Sequence, residues 1–373
     1  MVRRSWCRGG VSIPRDNSLE LLGKAILTTF QHLRSIPVTR SLRASALAAA
    51  SIAALLLAGC AATPTENETE APSGDTFPVS IEHALGTTEI AAEPERVVTW
   101  GWGSADAAIA VGVVPVAIPF QSYGGDEEGV LPWIREALEE QGEEIPTVLP
   151  DSSEEPPYEE IAAADPDVIL ATYSGITAEQ YELLSAIAPT VAYPGEAWAT
   201  PWKDVITITG EALGKSAEAE TVLADIDSAV AEQAEAHPEF ADKSLAAVWD
   251  IAGTFYVYKP ADPRVEFLHG LGFVDAPSVE ELSTGDETFY YTLSYEELDK
   301  LDADVVVSYS DTQAEADTFV TSSHGLAIPA VKAGTVATVV GTEFIASVSP
   351  PTALSLTWGL DELIAALEKA VSK

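Results

Sequence analysis

One phrase occurs twice in this chain, and it limits the available folds more than any other feature. Tyr158-Glu159-Glu160-Ile161 leads to Asp167, which opens the apolar run Val168-Ile169-Leu170-Ala171-Thr172 and closes on Tyr173-Ser174. Tyr295-Glu296-Glu297-Leu298 leads, over the same interval, to Asp304, Val305-Val306-Val307-Ser308 and Tyr309-Ser310. Each copy reads as a short acidic helix start feeding a buried strand. A repeat spaced this widely describes two similar lobes rather than a solenoid of short units. The 373 residues allow two domains of ordinary size.

The front of the chain reads as a targeting segment rather than as fold. Arg34, Arg40 and Arg43 precede an uncharged run from Ala44 to Gly59, which ends Leu57-Ala58-Gly59-Cys60. Positive, apolar and then small residues is the order of a signal peptide, here residues 1–59. The uncharged run is shorter than the about 20 residues a membrane-spanning helix needs. Cys60 directly after Leu-Ala-Gly resembles a bacterial lipobox. That implies cleavage before Cys60 and lipidation of its thiol, a tether to the membrane rather than a span. Met1 is the only methionine, and a start at Val38 would give a lipoprotein signal of ordinary length, so residues 1–37 are expected to be over-annotated. With Cys7 removed and Cys60 lipidated, no disulfide is expected. Residues 60–78 include the polar stretch Ala61 to Asp75, a flexible tether reaching roughly 20 Å.

Charge excludes one class of partner. Loss of residues 1–59 leaves 11 Lys/Arg against 57 Asp/Glu, a net charge near −46. Nucleic acid would be repelled. Only Arg96, Arg135 and Arg264 remain as arginines, so a polyanionic ligand would find few fixed cations. Most of the acidity is what solubility outside the cell requires.

From Val79 short strands alternate with helices, which argues for an α/β fold with parallel-type sheets carrying helices on their faces. Strands are expected at Arg96–Trp100, Val113–Ile118, Val168–Thr172 and Thr190–Tyr193. Helices are expected at Ala105–Val111 with Ser104 as cap, Leu131–Gln141, Tyr158–Ala164 and Ala178–Ala188. Ser216 is expected to cap a helix from Ala217 to Ala236, a rod of about 30 Å placed between the two repeat copies. The pattern predicts strands Leu245–Ile251, Thr254–Tyr258, Val305–Tyr309 and Thr335–Val340. It predicts helices Val265–Leu271, Glu296–Leu301 and Thr352–Val371. The expected divisions are 79–214, 215–237 for the connecting helix, and 238–373.

Ligands of open α/β sheets bind beyond the carboxyl ends of the strands. That rim holds Trp100, Trp102, Phe120, Tyr173, Tyr193, Trp249 and Tyr309, with Trp198 and Trp202 just after a strand and Phe289, Tyr290 and Tyr291 just before the second repeat. A single aromatic is more often core than platform, but this clustering suits a large, mostly uncharged or cationic ligand. Gly101-Trp102-Gly103-Ser104-Ala105-Asp106 has the placement of a dinucleotide loop. However, Trp102 fills the phosphate position and Asp106 replaces the third glycine, which argues against a nucleotide. Catalysis lacks a nucleophile elbow or a reactive Cys, and no two of the histidines after residue 60 share metal-ligand spacing. A secreted α/β enzyme acting on a nucleotide or sugar would need an acid, base and nucleophile set that is missing. Haem would have to rely on a pair such as Tyr258 with His324. Arg264, beside Tyr258 and before a helix, can donate to the oxygens of an iron chelate; as a surface residue at a helix N-terminus it would gain nothing from the dipole. Glu159 and Glu296 suit helix starts, and helices feeding strands place them on the cleft side of their lobes. There they offer two matched acidic points to a basic partner.

The ordered set resembles the class III substrate-binding lipoproteins of ABC importers, in particular the iron–siderophore group. The resemblance rests on the lipobox, Glu95-Arg96-Val97-Val98-Thr99-Trp100 after Glu93-Pro94, and Leu271-Gly272-Phe273. It rests also on Leu326-Ala327-Ile328-Pro329-Ala330-Val331 leading to Gly334-Thr335-Val336, and on Ser349-Pro350-Pro351-Thr352. It runs from about Val79 to Val371. It implies two Rossmann-like lobes joined by the single long helix, a ligand cleft between them, no catalysis and no cofactor. Its ligand would be an iron(III)–siderophore, with the iron held by the siderophore. A hydroxamate or mixed, neutral or cationic chelate is expected from the scarcity of cations, with haem or a corrinoid as the alternative. The resemblance matches Trp102, Tyr173, Tyr290 and Phe344 to cleft aromatics, and Glu159 and Glu296 to the knobs that dock on permease arginines. The segment Phe120–Gly125, which includes Tyr123 as an expected contact, lacks the arginine many hydroxamate binders carry there, leaving Arg264 as the donor. A monomer, lipid-anchored on the outer face of the cytoplasmic membrane, is implied.

Overall fold

The computed structural model describes residues 76–152, 155–285, 287 and 289–373. The expected signal peptide, Cys60 and the tether to Asp75 lie outside the described residues. Among the described residues no helix is long and apolar enough to cross a membrane.

An antiparallel hairpin, β1 (Val79–His83) and β2 (Gly86–Ile90), precedes the first sheet. That sheet is wholly parallel, in the order β5 (Thr147–Val148), β4 (Ala117–Ile118), β3 (Val97–Thr99), β6 (Val168–Leu170), β7 (Thr190–Val191). Its strands are shorter than the apolar runs suggested: residues 113–116 precede β4, and Trp100 and Ala171 lie just past the ends of β3 and β6. The helices between them are α1 (Ser104–Ala110), α2 (Pro132–Gln141), α3 (Tyr158–Ala163) and α4 (Ala178–Ser185). Ser104 does not cap α1. Its hydroxyl shares a hydrogen bond with Thr172 at 3.0 Å, while Gly103 stands at the cap in the left-handed region.

A helix the periodicity reading passed over, α5 (Trp202–Leu213), follows β7. Its buried face, Trp202, Val205, Ile206, Thr209, Ala212 and Leu213, has regular helical spacing. The long helix α6 (Ser216–Ala236) is present as expected. Its cap position is Lys215, and Ser216 is its first residue rather than its cap. Helix α6 presses on both halves of the molecule. A Cβ on Gly210 of α5 would come within 2.5 Å of Ala219, and one on Gly270 would come within 2.9 Å of Val230.

The second sheet runs β11 (Tyr290–Leu293), β9 (Thr254–Tyr258), β8 (Ser244–Ile251), β12 (Val305–Ser310), β13 (Val336–Val340), with β10 (Val274–Asp275) also on β8. Strands β8, β12 and β13 are parallel, while β9 pairs antiparallel with β8 and β11. Helices α7 (Pro263–Gly270), α8 (Pro277–Glu281), α9 (Gln313–Thr321), α10 (Pro329–Ala333), α11 (Thr342–Val348) and α12 (Ser355–Val371) cover it. The helix expected at Glu296–Leu301 is a single 3-10 turn, Leu298–Lys300. Leu298 and Leu301 are both fully buried, and a 3-10 turn brings residues three apart into line.

The repeat has a common anchor. Asp167 accepts hydrogen bonds from the backbone N–H groups of Glu95 and Arg96, at the entry to β3. Asp304 accepts from the N–H and hydroxyl of Ser244, at the entry to β8. In each sheet the repeated Asp thus ties its strand to the start of the neighbour beside it. One apolar core joins the two sheets, from Val97 and Val168 through Trp202, Ala219 and Ile226 to Leu245, Val307 and Leu360.

Candidate functional site

All five strands of the first sheet end at one edge, because they are parallel. The loops leaving that edge are locked together by backbone contact. Trp102 N–H donates to Tyr173 C=O at 3.0 Å, and a Cβ on Gly101 would lie 2.2 Å from that same oxygen. Only glycine lets the β3 loop approach the β6 loop so closely; Gly101 also has φ 93°, in the left-handed region. The result is a cavity of about 210 Å³ lined by Trp100, Trp102, Phe120, Gln121, Ser122, Asp151 and Trp198, among others. A second cavity, of about 350 Å³, lies between the two sheets. Tyr173, Glu196, Trp198 and Pro201 approach from one side, and Asp262, Arg264, Glu266 and Phe289 from the other. Trp198 borders both cavities. It is 53% exposed, and its ring centroid is 6.1 Å from that of Tyr173.

Alternation along β8, β9, β11 and β12 sorts the remaining aromatics. Directly paired residues share a face. Trp249 pairs with Tyr256 and with Tyr309, and Tyr258 with Tyr290. These rings therefore form one aromatic face. Tyr258 and Tyr309 meet edge to face at 6.0 Å, and Tyr256 and Tyr290 at 5.5 Å. Arg264 lies over this face, 3.9 Å from the Tyr258 centroid and 5.9 Å from that of Tyr309. Tyr291 points the other way, into the core with Phe255 and Phe319, and does not join the site. Trp202 is likewise buried, in the first turn of α5, where it faces the segment Pro350–Ala353 rather than the open cavities. Phe344 is 5% exposed within the same core as Tyr258 and Tyr309. Tyr193 is spent inside the first half, donating its hydroxyl to Ile176 C=O.

Arg264 is not a surface residue. Its Nε lies 2.7 Å from Asp262 Oδ1, with the two side chains only 12% and 1% exposed. The N–H does not point along that line, so Nε forms an ion pair and no hydrogen bond. Asp262 also caps α7 by accepting from Arg264 N–H at 3.0 Å. Burial opposes charge on both partners. It raises the Asp262 carboxyl above its ordinary value despite the adjacent guanidinium. For Arg264, Asp262 and the tyrosines outweigh burial, so the side chain stays protonated. Burial also raises Tyr173, Tyr258 and Tyr309, keeping their hydroxyls neutral and able to donate. Tyr123 reaches across to donate to Asp311 Oδ1 at 2.7 Å. Burial, and then that acceptor, raise it further still.

Asp106 explains the failed nucleotide loop in physical terms. It is fully buried at the start of α1, accepting from Trp133 Nε1 at 2.5 Å and from the Thr352 hydroxyl. The α1 N-terminus therefore already holds a carboxylate. Beside it Trp102 Nε1 donates to Pro350 C=O at 3.2 Å. Glu159 and Glu296 are both exposed. Glu296 follows Tyr295, whose hydroxyl donates to Asp250 at the end of β8. Haem ligation by Tyr258 with His324 is not possible. His324 bonds Asp250 at 2.8 Å, and Asp250, one residue on from Trp249, faces away from Tyr258.

Asp262, Asp311, Glu196 and Glu266 belong to the site and are not among the residues the sequence singles out, whereas Phe289 is one of its rim aromatics. Asp262 had a visible signal, since Asp-Pro at a helix start is a cap followed by its N1 proline. Asp311 follows directly on the repeated Tyr-Ser at a strand's carboxyl end.

The arrangement can enclose a bulky ligand between aromatic walls and offer it neutral hydroxyl donors and one guanidinium. None of the described histidines lines either cavity.

Comparison with known proteins agrees with this geometry. A family model described as periplasmic binding protein matches residues 97–340. The chain is 28% identical over 294 residues to the probable siderophore-binding lipoprotein YfiY of Bacillus subtilis (strain 168), covering 76% of this chain and 86% of that one. It is similar to the crystal structure of Streptococcus pneumoniae TIGR4 PiaA in complex with ferrichrome. Identity is 34% and the TM-score 0.71, with 79% of this chain and 99% of that chain covered. It is similar also to Staphylococcus aureus SirA complexed with staphyloferrin B, at 27% identity and a TM-score of 0.62, covering 78% and 98%.

Proposed function

The chain belongs to the periplasmic binding protein family, and on that footing we propose that it captures a ferric siderophore between its two sheets and delivers it to an ABC importer. It is a binding protein, as its family and neighbours are, and not an enzyme. The observation that carries the ligand assignment is the inter-sheet cavity, where Arg264 is held over Tyr258 and Tyr309 with Tyr173 and Trp198 opposite. A ferric chelate presents metal-bound oxygens to such donors and an apolar periphery to such rings. The ligand is of hydroxamate or mixed type, because among the described residues Arg264 is the only basic one lining the two cavities. A tris-catecholate trianion would face the acidic lining with one guanidinium for compensation. The ferrichrome held by PiaA supports this choice, while the staphyloferrin B held by SirA marks the carboxylate alternative.

Titration followed by tryptophan fluorescence tests the reading. Ferrichrome and ferrioxamine B should quench Trp198, and ferric tris-catecholates should not. Quenching by catecholates alone would overturn the ligand class. Haem should produce no Soret shift. Anchoring through lipidated Cys60, a monomeric state and docking of Glu159 and Glu296 on permease arginines complete the proposal. The lipid anchor is checked by radiolabelled palmitate, which Cys60→Ser should fail to incorporate.

A further inference from the structure

The cavity between the sheets holds a cation that is already matched, since Arg264 is paired with Asp262. Three more carboxylates line the two cavities: Asp151 in the first, and Glu196 and Glu266 in the second. Among the described residues, none of the three side chains has an ion-pair or hydrogen-bond partner. Glu196 comes from the loop after β7 and Glu266 from α7, so the two halves each contribute one unmatched acid to the same space. They share it with two rings left open to solvent, Trp198 at 53% and Phe289 at 38% exposed. Carboxylates beside open aromatic faces attract an organic ammonium twice over, by charge and by cation–π contact. A polyanionic chelate would meet like charge here, and a neutral one would leave the acids unmatched.

Resting on the siderophore reading above, we infer that the site selects ferric chelates of net positive charge. The iron-bound oxygens face Arg264 and the tyrosines, and Glu196 and Glu266 hold a free ammonium arm. Glu196 and Glu266 are exposed acids in a strongly acidic chain, so a control must separate their local effect from that of net charge. Glu139 and Glu140 are exposed acids on α2, away from both cavities. Glu139→Gln/Glu140→Gln therefore changes net charge as much as Glu196→Gln/Glu266→Gln does.

The experiment compares ferrioxamine B, which carries one free ammonium, with its N-acetyl derivative, which has the same chelate and no charge. Both are titrated by isothermal calorimetry into wild type and the two double variants, with thermal melts to verify folding. Wild type should bind ferrioxamine B about two- to fivefold more tightly than the acetylated form, the weight of partly exposed ion pairs. The preference should shrink as NaCl screens it. It should vanish in Glu196→Gln/Glu266→Gln, where the ratio of the two affinities falls to about one, and persist in Glu139→Gln/Glu140→Gln. Equal binding of the two chelates by wild type overturns the inference and leaves the siderophore reading standing. So does a preference that survives in Glu196→Gln/Glu266→Gln or is lost in the control. Binding of neither chelate, with binding of ferric staphyloferrin B or a catecholate, overturns the hydroxamate reading and this inference with it.

Discussion

A guanidinium pinned between a carboxylate and two tyrosine rings cannot be replaced by an ammonium on a flexible stem. Arg264→Gln should weaken ferric hydroxamate binding about 10- to 100-fold, the weight of a lost charge-assisted hydrogen bond, measured by fluorescence titration. Arg264→Lys should recover little of that loss. Asp106 makes a different prediction. Burial raises its carboxyl above the unfolded value of 3.8 even though Trp133 and Thr352 donate to it. A raised carboxyl stabilises the fold fully below the unfolded value and loses that contribution as pH rises through the folded value. Wild type should therefore lose stability relative to Asp106→Asn as pH is raised from about 4 toward neutrality, the unfolded carboxylate value marking the lower end. Urea unfolding of both proteins across that window checks the sign, and a difference that grows in favour of wild type would refute it.

The elements were legible in proportion to the length of their signals. Helix α6 was visible in the sequence because twenty-one residues repeat one periodicity without a breaker. Helix α5 is hard to see in the sequence because its start, at Pro201, carries no side-chain cap to mark it. The second copy of the repeat kept its anchor, Asp304, but not its helix, since burial of Leu298 and Leu301 favours a tighter turn. Close packing against α6 is the feature an element-scale experiment can reach. Gly210→Val and Gly270→Val force methyl groups against Ala219 and Val230. Each should cost about 1–3 kcal/mol of unfolding free energy in urea, as overpacking does. The pair loosens the grip of α6 on both sheets, so their effects should add.

At the scale of the whole molecule, three side-chain hydrogen bonds among the described residues join the two halves: Tyr123 to Asp311, Trp102 to Pro350, and the buried pair Thr352 and Asp106. Tyr123 with Asp311 closes over the aromatic face. Tyr123→Phe removes a hydrogen bond worth about 0.5–1.5 kcal/mol and should favour opening by about two- to tenfold. Stopped-flow fluorescence would register this as faster association and faster release together. Glu159 and Glu296 are both exposed. Charge reversal at either, Glu159→Lys or Glu296→Lys, should leave chelate affinity unchanged and reduce iron uptake by cells. A loss of affinity in the purified variant would place that Glu in the ligand site instead.

Two sheets, a bridging helix and an aromatic rim could all be taken from the sequence, because apolar periodicity and repeated phrases are local properties of the chain. Tyr173-Ser174 and Tyr309-Ser310 show where locality stops. In sequence they are equivalent, but Tyr173 lines the open cavity whereas Tyr309 lies 2% exposed beneath Arg264. Likewise Tyr290 and Tyr291 are neighbours that the pleat of β11 sends to opposite faces, one beside Tyr256 and the other into the core. The matched charge of Arg264, the unmatched charges of Glu196 and Glu266, and the burial of Asp106 were decided only when distant segments met. Whether a side chain is paired, solvated or enclosed depends on neighbours that the chain brings together in space, and the order of residues alone does not specify them.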